Sequence, residues 1–298
     1  RSIGGRPMTA AEGRRRGRQG RRRYLIGMYA LGALLLLVTL GPFVALFTAS
    51  ISSQAELLEL PMHLWPSAPT LSRYQEIFTG GGTSVAAALR GSMLNSFVVA
   101  TVSVVISLGS GIFGAYAFAR LRFRFKQGVL LLFLVTYMMP PLALVIPIYL
   151  ALSALGLLDT RSGLVAVYCS FTTPFVLWLL SGYFQSLPED LEDAARIDGC
   201  SRVGALFRVI LPIARPGLIS AGLLTFLGAW DEFFYALILT SSPSAKTIPV
   251  ALAEFTGRYS LDFGLMAAGG IVAALPPVLI ALLLQRHITS GLAAGAVK

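Results

Sequence analysis

Residues 186–215 read SLPEDLEDAARIDGCSRVGALFRVILPIAR, and the chain on either side of them is of a different kind. Nine of these 30 residues are charged, against 13% of the whole 298. Ser186-Leu187-Pro188-Glu189 has the form of a capping box, with proline in the first turn where its missing N–H costs nothing. Leu187, Leu191, Ala194 and Ala195 then fall on one helical face, and Glu189, Glu192, Asp193 and Arg196 on the other. Glu192 and Arg196 form a favourably oriented i,i+4 pair. Gly199 stands where a helix C-terminal glycine belongs, and Ser201 can cap a second helix. In that helix Val203, Leu206, Phe207 and Ile210 share a face, and Leu211-Pro212 is expected to stop it. The segment therefore reads as helix, glycine, helix. Pattern alone leaves two readings open: an amphipathic unit lying on lipid, or a docking surface for another protein.

Both neighbours of this segment are uncharged and apolar. Ser162–Pro188 precedes it, and Pro216–Trp230 follows it and continues past two acids to Ala245. Working outward, Tyr24–Ser50, Gly91–Ala119, Gln127–Leu158 and Phe263–Gln285 have the same character. Uncharged apolar stretches of about 18 or more residues read as transmembrane helices. The chain is thus expected to be an all-α membrane protein with six spans. Gln127–Leu158 holds Pro140, Pro141 and Pro147, which predicts a kink or break. Phe263–Gln285 holds Pro276-Pro277, tolerated where neighbouring helices satisfy the freed carbonyls. Tyr24–Ser50 is too long for the 7–15-residue apolar core of a signal peptide and is read as a retained helix.

Composition agrees. The chain is 55% apolar with a mean hydropathy of +0.74, which excludes an ordinary soluble globule and a disordered chain alike. Its net charge of +10 would suit nucleic acid or an anionic membrane surface, and the placement of the charges decides for the membrane. With six spans, the tail to Arg23, Arg120–Lys126, Glu189–Arg215 and the C-terminus share one side and hold 19 of the 24 Lys and Arg residues. Arg73, Arg90, Arg161, Lys246 and Arg258 lie on the other. The positive-inside rule then puts both termini in the cytoplasm. The expected organisation is a basic tail over 1–23, a transmembrane region over 24–286 and a tail over 287–298, with an external loop at 51–92 and the cytoplasmic loop at 186–215. Residues 1–7 precede Met8 and are expected to be foreign to the native chain.

No catalytic or metal-binding constellation is present in the sequence. Cys169 and Cys200 fall in different compartments of the pattern, and His63 and His287 lie on opposite sides. There is no phosphate-binding G-x-x-x-x-G-K-[ST] loop, H-E-x-x-H or G-x-S-x-G. Any ATP energy must therefore come from another chain. Asp231 and Glu232 are the only acids inside an apolar stretch, beside Trp230 and Tyr235. Intramembrane acids face a bundle interior or a cavity. Carboxylates beside aromatic faces suit a sugar; a structural hydrogen bond to a neighbouring helix is the alternative. Ser107, Ser110, Gly111, Gly114 and Ala115 form small-xxx-small ladders that predict close helix packing.

Asp193-Ala194-Ala195-x-x-Asp198-Gly199, nine residues, then Val209-x-Leu211-Pro212 resembles the EAA loop of binding-protein-dependent ABC importer permeases. The family pattern has Glu, Ala and Ile where this chain has Asp193, Cys200 and Val209. Thr70-Leu71-x-x-Tyr74, Leu94-Asn95-Ser96, Ala115-Tyr116-Ala117-x-Ala119-Arg120, Ile146-Pro147-x-Tyr149, Gly156–Thr160 and Trp230-x-Glu232-Phe233 are similar to its carbohydrate branch. Gly291-Leu292-x-x-Gly295-Ala296-Val297-Lys298 resembles the tail of the maltose-type subunit.

The resemblance implies a type I ABC importer permease (MetI-like) fold in the bacterial inner membrane, forming half of a heterodimeric pore for a sugar. It implies a second homologous permease, a dimer of ATPase subunits carrying ATP and Mg, and an extracytoplasmic solute-binding protein. Nucleic acid has no part in it, and no cofactor is expected in this chain. Glu192, Asp193, Ala194, Ala195, Asp198, Gly199, Phe207, Leu211 and Pro212 would couple to the ATPase, and the tail Gly291–Lys298 would reach between the ATPases. Leu206 and Phe207 would fill an apolar pocket there. Trp230, Asp231, Glu232 and Tyr235 would line the substrate pathway. An ion-driven secondary transporter and an importer of a non-sugar solute are the alternatives.

Overall fold

The structure, a computed structural model, describes residues 10–59, 65–79, 84–258 and 262–296. Residues 1–7, His63, Val297 and Lys298 lie outside the described residues. Among the described residues all regular structure is helical. Four helices are each long and apolar enough to cross a membrane: α1 (Ala10–Ile51), α4 (Ser84–Arg120), α7 (Arg161–Ser186) and α14 (Phe263–Ala296). Two bent pairs bring the number to six if each is one span.

The expected break in the third apolar stretch falls between α5 (Lys126–Met138) and α6 (Pro141–Ala154), which meet at 92°. Met139 and Pro140 each precede a proline, which pushes both into extended backbone with ψ 133° and 129°. Pro147 sits inside α6 without breaking it, as do Pro174 in α7 and Pro276 and Pro277 in α14.

The fifth apolar stretch is also divided, which the sequence reading did not anticipate. α11 (Arg215–Trp230) has 16 residues, or about 24 Å at 1.5 Å per residue, short of the ~30 Å hydrocarbon thickness. The chain breaks at Asp231–Phe233 and resumes as α12 (Phe234–Leu239). α14 runs without interruption past residue 287, where a separate tail was expected, and α4 begins at Ser84, before the expected Gly91.

α4 and α7 form the centre. Cβ atoms added at Gly111 and Gly114 would lie 2.6 Å from Val176 Cγ1 and 2.8 Å from Leu177 Cδ1, so glycine is what permits this approach. Ser107 Oγ and Thr172 Oγ1 are hydrogen-bonded at 2.7 Å across the same seam. Ser110 belongs to another face and bonds back to the Ile106 carbonyl. One apolar core gathers Val99, Leu164, Tyr168, Trp230, Tyr235 and Val250; a second, towards residues 187–214, gathers Tyr116, Phe184, Leu206 and Ile210. α1 packs along α14, with Leu46 against Gly270.

The end remote from residues 187–214 is held by polar contacts. Asn95 Nδ2 donates to the carbonyls of Pro243 and Lys246, and Ser96 Oγ accepts from Ile248 N. Asp159 Oδ1 accepts from the N–H groups of Ser241 and Ser242. Burial alone would raise the Asp159 carboxyl, but these N–H donors outweigh it and hold the group below its ordinary value. Arg73 is buried, paired with Asp262 at 3.3 Å and bonded to the carbonyls of Ser50 and Ser52, which joins α3 (Ser72–Thr79) to the ends of α1 and α14.

Candidate functional site

The segment between α7 and α11 folds as α8 (Asp190–Ile197), α9 (Arg202–Ala205), a π turn over Leu206–Ile210 and a last helical turn, α10 (Leu211–Ile213). Gly199 has φ +88°, a region in which residues with a Cβ are strained. Gly199 N bonds to the Arg196 carbonyl and Cys200 N to the Ala195 carbonyl, which is the Schellman arrangement. Ser201 caps α9 by accepting from Gly204 N at 3.1 Å. Both expectations at the glycine and the serine are met.

Four local expectations are not. The capping box does not form, because Ser186 Oγ donates to the Tyr183 carbonyl and the N-cap of α8 is Glu189, without a side-chain bond. Glu192 does not pair with Arg196 on a solvated face. It is buried, accepts from the Tyr116 hydroxyl at 2.6 Å and pairs with Arg120 at 3.5 Å, while Arg196 turns to Asp193. Leu206 is buried among this chain's own helices and is not free to fill another protein's pocket. Pro212 does not end the helical run. The π turn lies over the very carbonyls that Pro212, lacking an N–H, cannot serve, and the chain turns by 79° only at the Ala214 junction into α11.

What remains outside is a surface. Asp193, Ala194, Ile197, Asp198, Gly199, Val203, Phe207 and Pro212 are exposed, Leu211 is half-buried, and Ala195 is buried with Glu192. Ile197 is 87% exposed, an apolar side chain with almost no contact of its own. Phe207 meets Phe113 of α4 edge-on at 6.0 Å.

The second candidate site is the break at Asp231–Phe233. Glu232 accepts from Tyr235 N at 2.8 Å, Ala236 N at 3.1 Å and the Tyr168 hydroxyl at 2.8 Å. It thereby satisfies the open N–H groups that begin α12. Trp230 is buried, stacked on Phe226, and donates its indole N–H to the Ala273 carbonyl. Tyr235 is buried and stacked on Phe171. Asp231 caps the end of α11 and is exposed. Among the described residues no group of three His, Cys, Asp or Glu side chains gathers to hold a metal.

Residues 107–293 match the family described as the binding-protein-dependent transport system inner membrane component. The chain belongs to this family of permeases. It is 33% identical over 270 residues to the sulfoquinovosyl glycerol transport system permease protein SmoH of Agrobacterium fabrum, covering 91% of this chain and 93% of that one. It is 39% identical to the trehalose transport system permease protein SugB of Mycobacterium tuberculosis, covering 79% and 84%. Its fold matches a chain from the crystal structure of a bacterial ABC transporter involved in the import of the acidic polysaccharide alginate. There the TM-score is 0.74 at 24% identity, over 94% of this chain and 99% of that one.

Within the permease, the residues singled out from the sequence divide by environment. The 193–199 stretch comes together as one helix end and turn, exposed except at Ala195, as its spacing implied. Of the four residues at the second site, three are engaged by neighbouring helices, and Asp231 alone has an exposed side chain. Tyr116, part of a motif similar to the carbohydrate branch, and Arg120, part of that motif and of the basic segment Arg120–Lys126, prove to be the partners of Glu192. The signal for them was the position of Arg120 as the last residue of an apolar span, one helical turn after Tyr116.

Proposed function

We propose that this permease forms half of the pore of an ATP-driven sugar importer, paired with a homologous permease and fed by an extracytoplasmic solute-binding protein. The sugar class rests on the named systems of its relatives, sulfoquinovosyl glycerol and trehalose. The observation that carries the coupling role is the exposed turn at Asp193–Gly199. There Ala194 and Gly199 allow another backbone to approach, Ile197 offers an apolar knob, and Asp193 and Asp198 suit a basic rim. This surface docks on an ATPase subunit that binds ATP and Mg, and its displacement on ATP binding tips the spans between inward- and outward-open states. The excess of Lys and Arg on the side of this loop supports a cytoplasmic location for it and for both termini. Asp231 is the residue proposed to face the sugar, since its side chain is free of the packing that holds Trp230, Glu232 and Tyr235.

Two variants in proteoliposomes test this together. Ala194→Trp adds bulk to an exposed position and is expected to abolish co-purification with the ATPase, and uptake with it. Asp231→Ala is expected to abolish uptake while retaining the ATPase and its basal hydrolysis. Uptake by the permease without ATP would overturn the reading, and wild-type transport by Asp231→Ala would remove that residue from the pathway.

A further inference from the structure

The last helical turn of α4 holds the 187–214 segment at several points. Arg120 Nη2 donates to the Leu187 carbonyl at 2.9 Å, where the chain enters α8. Its Nε lies 3.5 Å from Glu192 Oε2, in the body of α8, and its Nη1 lies 3.8 Å from Glu189 Oε1. One turn earlier, the Tyr116 hydroxyl donates to Glu192 Oε1 at 2.6 Å and reaches within 3.4 Å of the Arg202 carbonyl, where α9 begins. The Arg120 and Glu192 side chains are only 6% and 10% exposed. Entrance, helix and exit are thus fastened to one turn of one span.

Such a joint differs from the apolar contacts around it. An apolar contact tolerates sliding, because its energy depends on area and little on direction. A buried carboxylate shared between a hydroxyl and a guanidinium does not, because moving it leaves a charge unpaired in a low dielectric. Behind the joint, α4 is locked to α7 by Ser107 with Thr172 and by the close approaches at Gly111 and Gly114. A displacement of α8 and α9 is therefore delivered to two packed spans at once.

We propose that Tyr116, Arg120 and Glu192 form a strut that transmits movement of the 187–214 segment into the α4–α7 pair, and so sets how much solute moves per ATP. The strut rests on the reading of that segment as the ATPase-docking surface. Tyr116 and Arg120 are positioning residues in this scheme, since they lie behind the docking surface.

The test uses the assembled importer, with its ATPase and solute-binding protein, in proteoliposomes. Tyr116→Phe removes a single hydroxyl, and Arg120→Gln removes the charge but keeps a donor. Both are expected to retain the ATPase subunit and its basal hydrolysis. Solute transported per ATP is expected to fall about 5- to 10-fold, the low end of a site-to-site coupling. That ratio is the deciding readout, because a variant that only destabilised the fold would lower the amount of active importer and leave it unchanged. An unchanged ratio in Tyr116→Phe overturns the strut, even if Arg120→Gln fails to assemble. If the wild-type permease itself does not retain an ATPase, the docking reading fails, which is distinguishable from failure of the strut alone.

Discussion

Glu232 is where a structural and a transport role make opposite predictions. Its carboxylate accepts two backbone N–H groups at the start of α12 and the hydroxyl of Tyr168, a residue with no exposed surface. Glu232→Ala removes the acceptor for all three. Losing a helix N-terminal acceptor costs about 0.5–2 kcal/mol. An intramembrane side-chain hydrogen bond contributes about 0.6 kcal/mol on average and up to about 1.7. The expected destabilisation is the combination, about 1–4 kcal/mol. Glu232→Gln has nearly the same shape but one acceptor oxygen, so one of the two backbone N–H groups loses its partner, and about half of that loss is expected. The assay is thermal unfolding of the purified complex beside the half-saturating solute concentration for uptake. A double-mutant cycle with Tyr168→Phe should return a coupling of about 0.5–1.7 kcal/mol. Stability should fall while the half-saturating concentration stays put. If Glu232→Gln unfolds like the wild type yet no longer takes up solute, the structural reasoning is refuted and Glu232 belongs to the pathway.

Two further outcomes follow from local geometry. A Cβ at Gly264 would run into the Arg73 guanidinium, so Gly264→Ala should displace the Arg73–Asp262 pair and lower thermal stability by about 1–3 kcal/mol. Gly228→Ala has open space around it and should be neutral or stabilising; equal melting points for the two would contradict this. Hydrogen bonding from the Ser67 hydroxyl, and then from the Ser53 and Ser67 N–H groups, pulls the Glu56 carboxyl from its ordinary 4.5 to about 2. A carboxyl lowered by folding contributes its stabilisation fully above its ordinary value and loses it as pH falls through the folded one. Carboxylate titration followed by infrared spectroscopy should therefore show a group ionised well below pH 4, returning towards 4.5 in Ser67→Ala. A wild-type titration at the ordinary value would refute the contact.

Features that depend on local rules were legible in the sequence. The glycine turn at Gly199, the cap at Ser201, the break near Pro140 and the close packing at Gly111 and Gly114 all follow from constraints within a few residues. What was not legible depends on partners far along the chain. Periodicity put Glu192 on a polar face with Glu189, Asp193 and Arg196, and those three are exposed. Glu192 alone of the four is buried, because Arg120 and Tyr116, more than 70 residues earlier, end a span beside it. Leu206 was assigned to a partner's pocket for the same reason: an amphipathic pattern marks an apolar face without saying whose helices cover it. The break at Asp231–Phe233 has no proline or glycine to announce it. Glu232, the residue that satisfies it, was open to reading as a pathway acid or as a structural hydrogen bond to a neighbouring helix. Its bond to Tyr168 is of the second kind, and its helix-starting role requires knowing that a helix starts there.

The breaks at Met139–Pro140 and Asp231–Phe233, beside the unbroken α4 and α7, show how such a bundle can bend without losing its backbone bonds. An open N–H or carbonyl in hydrocarbon is costly, so breaks persist only where something answers them. At Met139 the N–H bonds back to the Thr136 carbonyl, and at α12 the Glu232 carboxylate takes the open donors. The segments beyond the breaks meet each other: Val145 and Leu152 of α6 share a core with Tyr235, Ala236 and Leu239 of α12. α4, by contrast, is continuous and is held at two separated levels. Asn95 and Ser96, part-way along it, bind the 243–248 backbone, and Tyr116 and Arg120, at its C-terminal end, bind the 187–202 segment. The 25 residues from Asn95 to Arg120 span about 37 Å at 1.5 Å per residue, more than the hydrocarbon thickness. A continuous helix fastened at two levels can act as a lever, carrying displacement at Arg120 towards Asn95. The segment carried there runs into α13 (Ile248–Arg258) and, through Asp159, is tied to the start of α7. On the proposed docking of the 187–214 segment, its movement is carried along α4 to the contacts at Asn95 and Ser96, while the broken helices take up the change in angle.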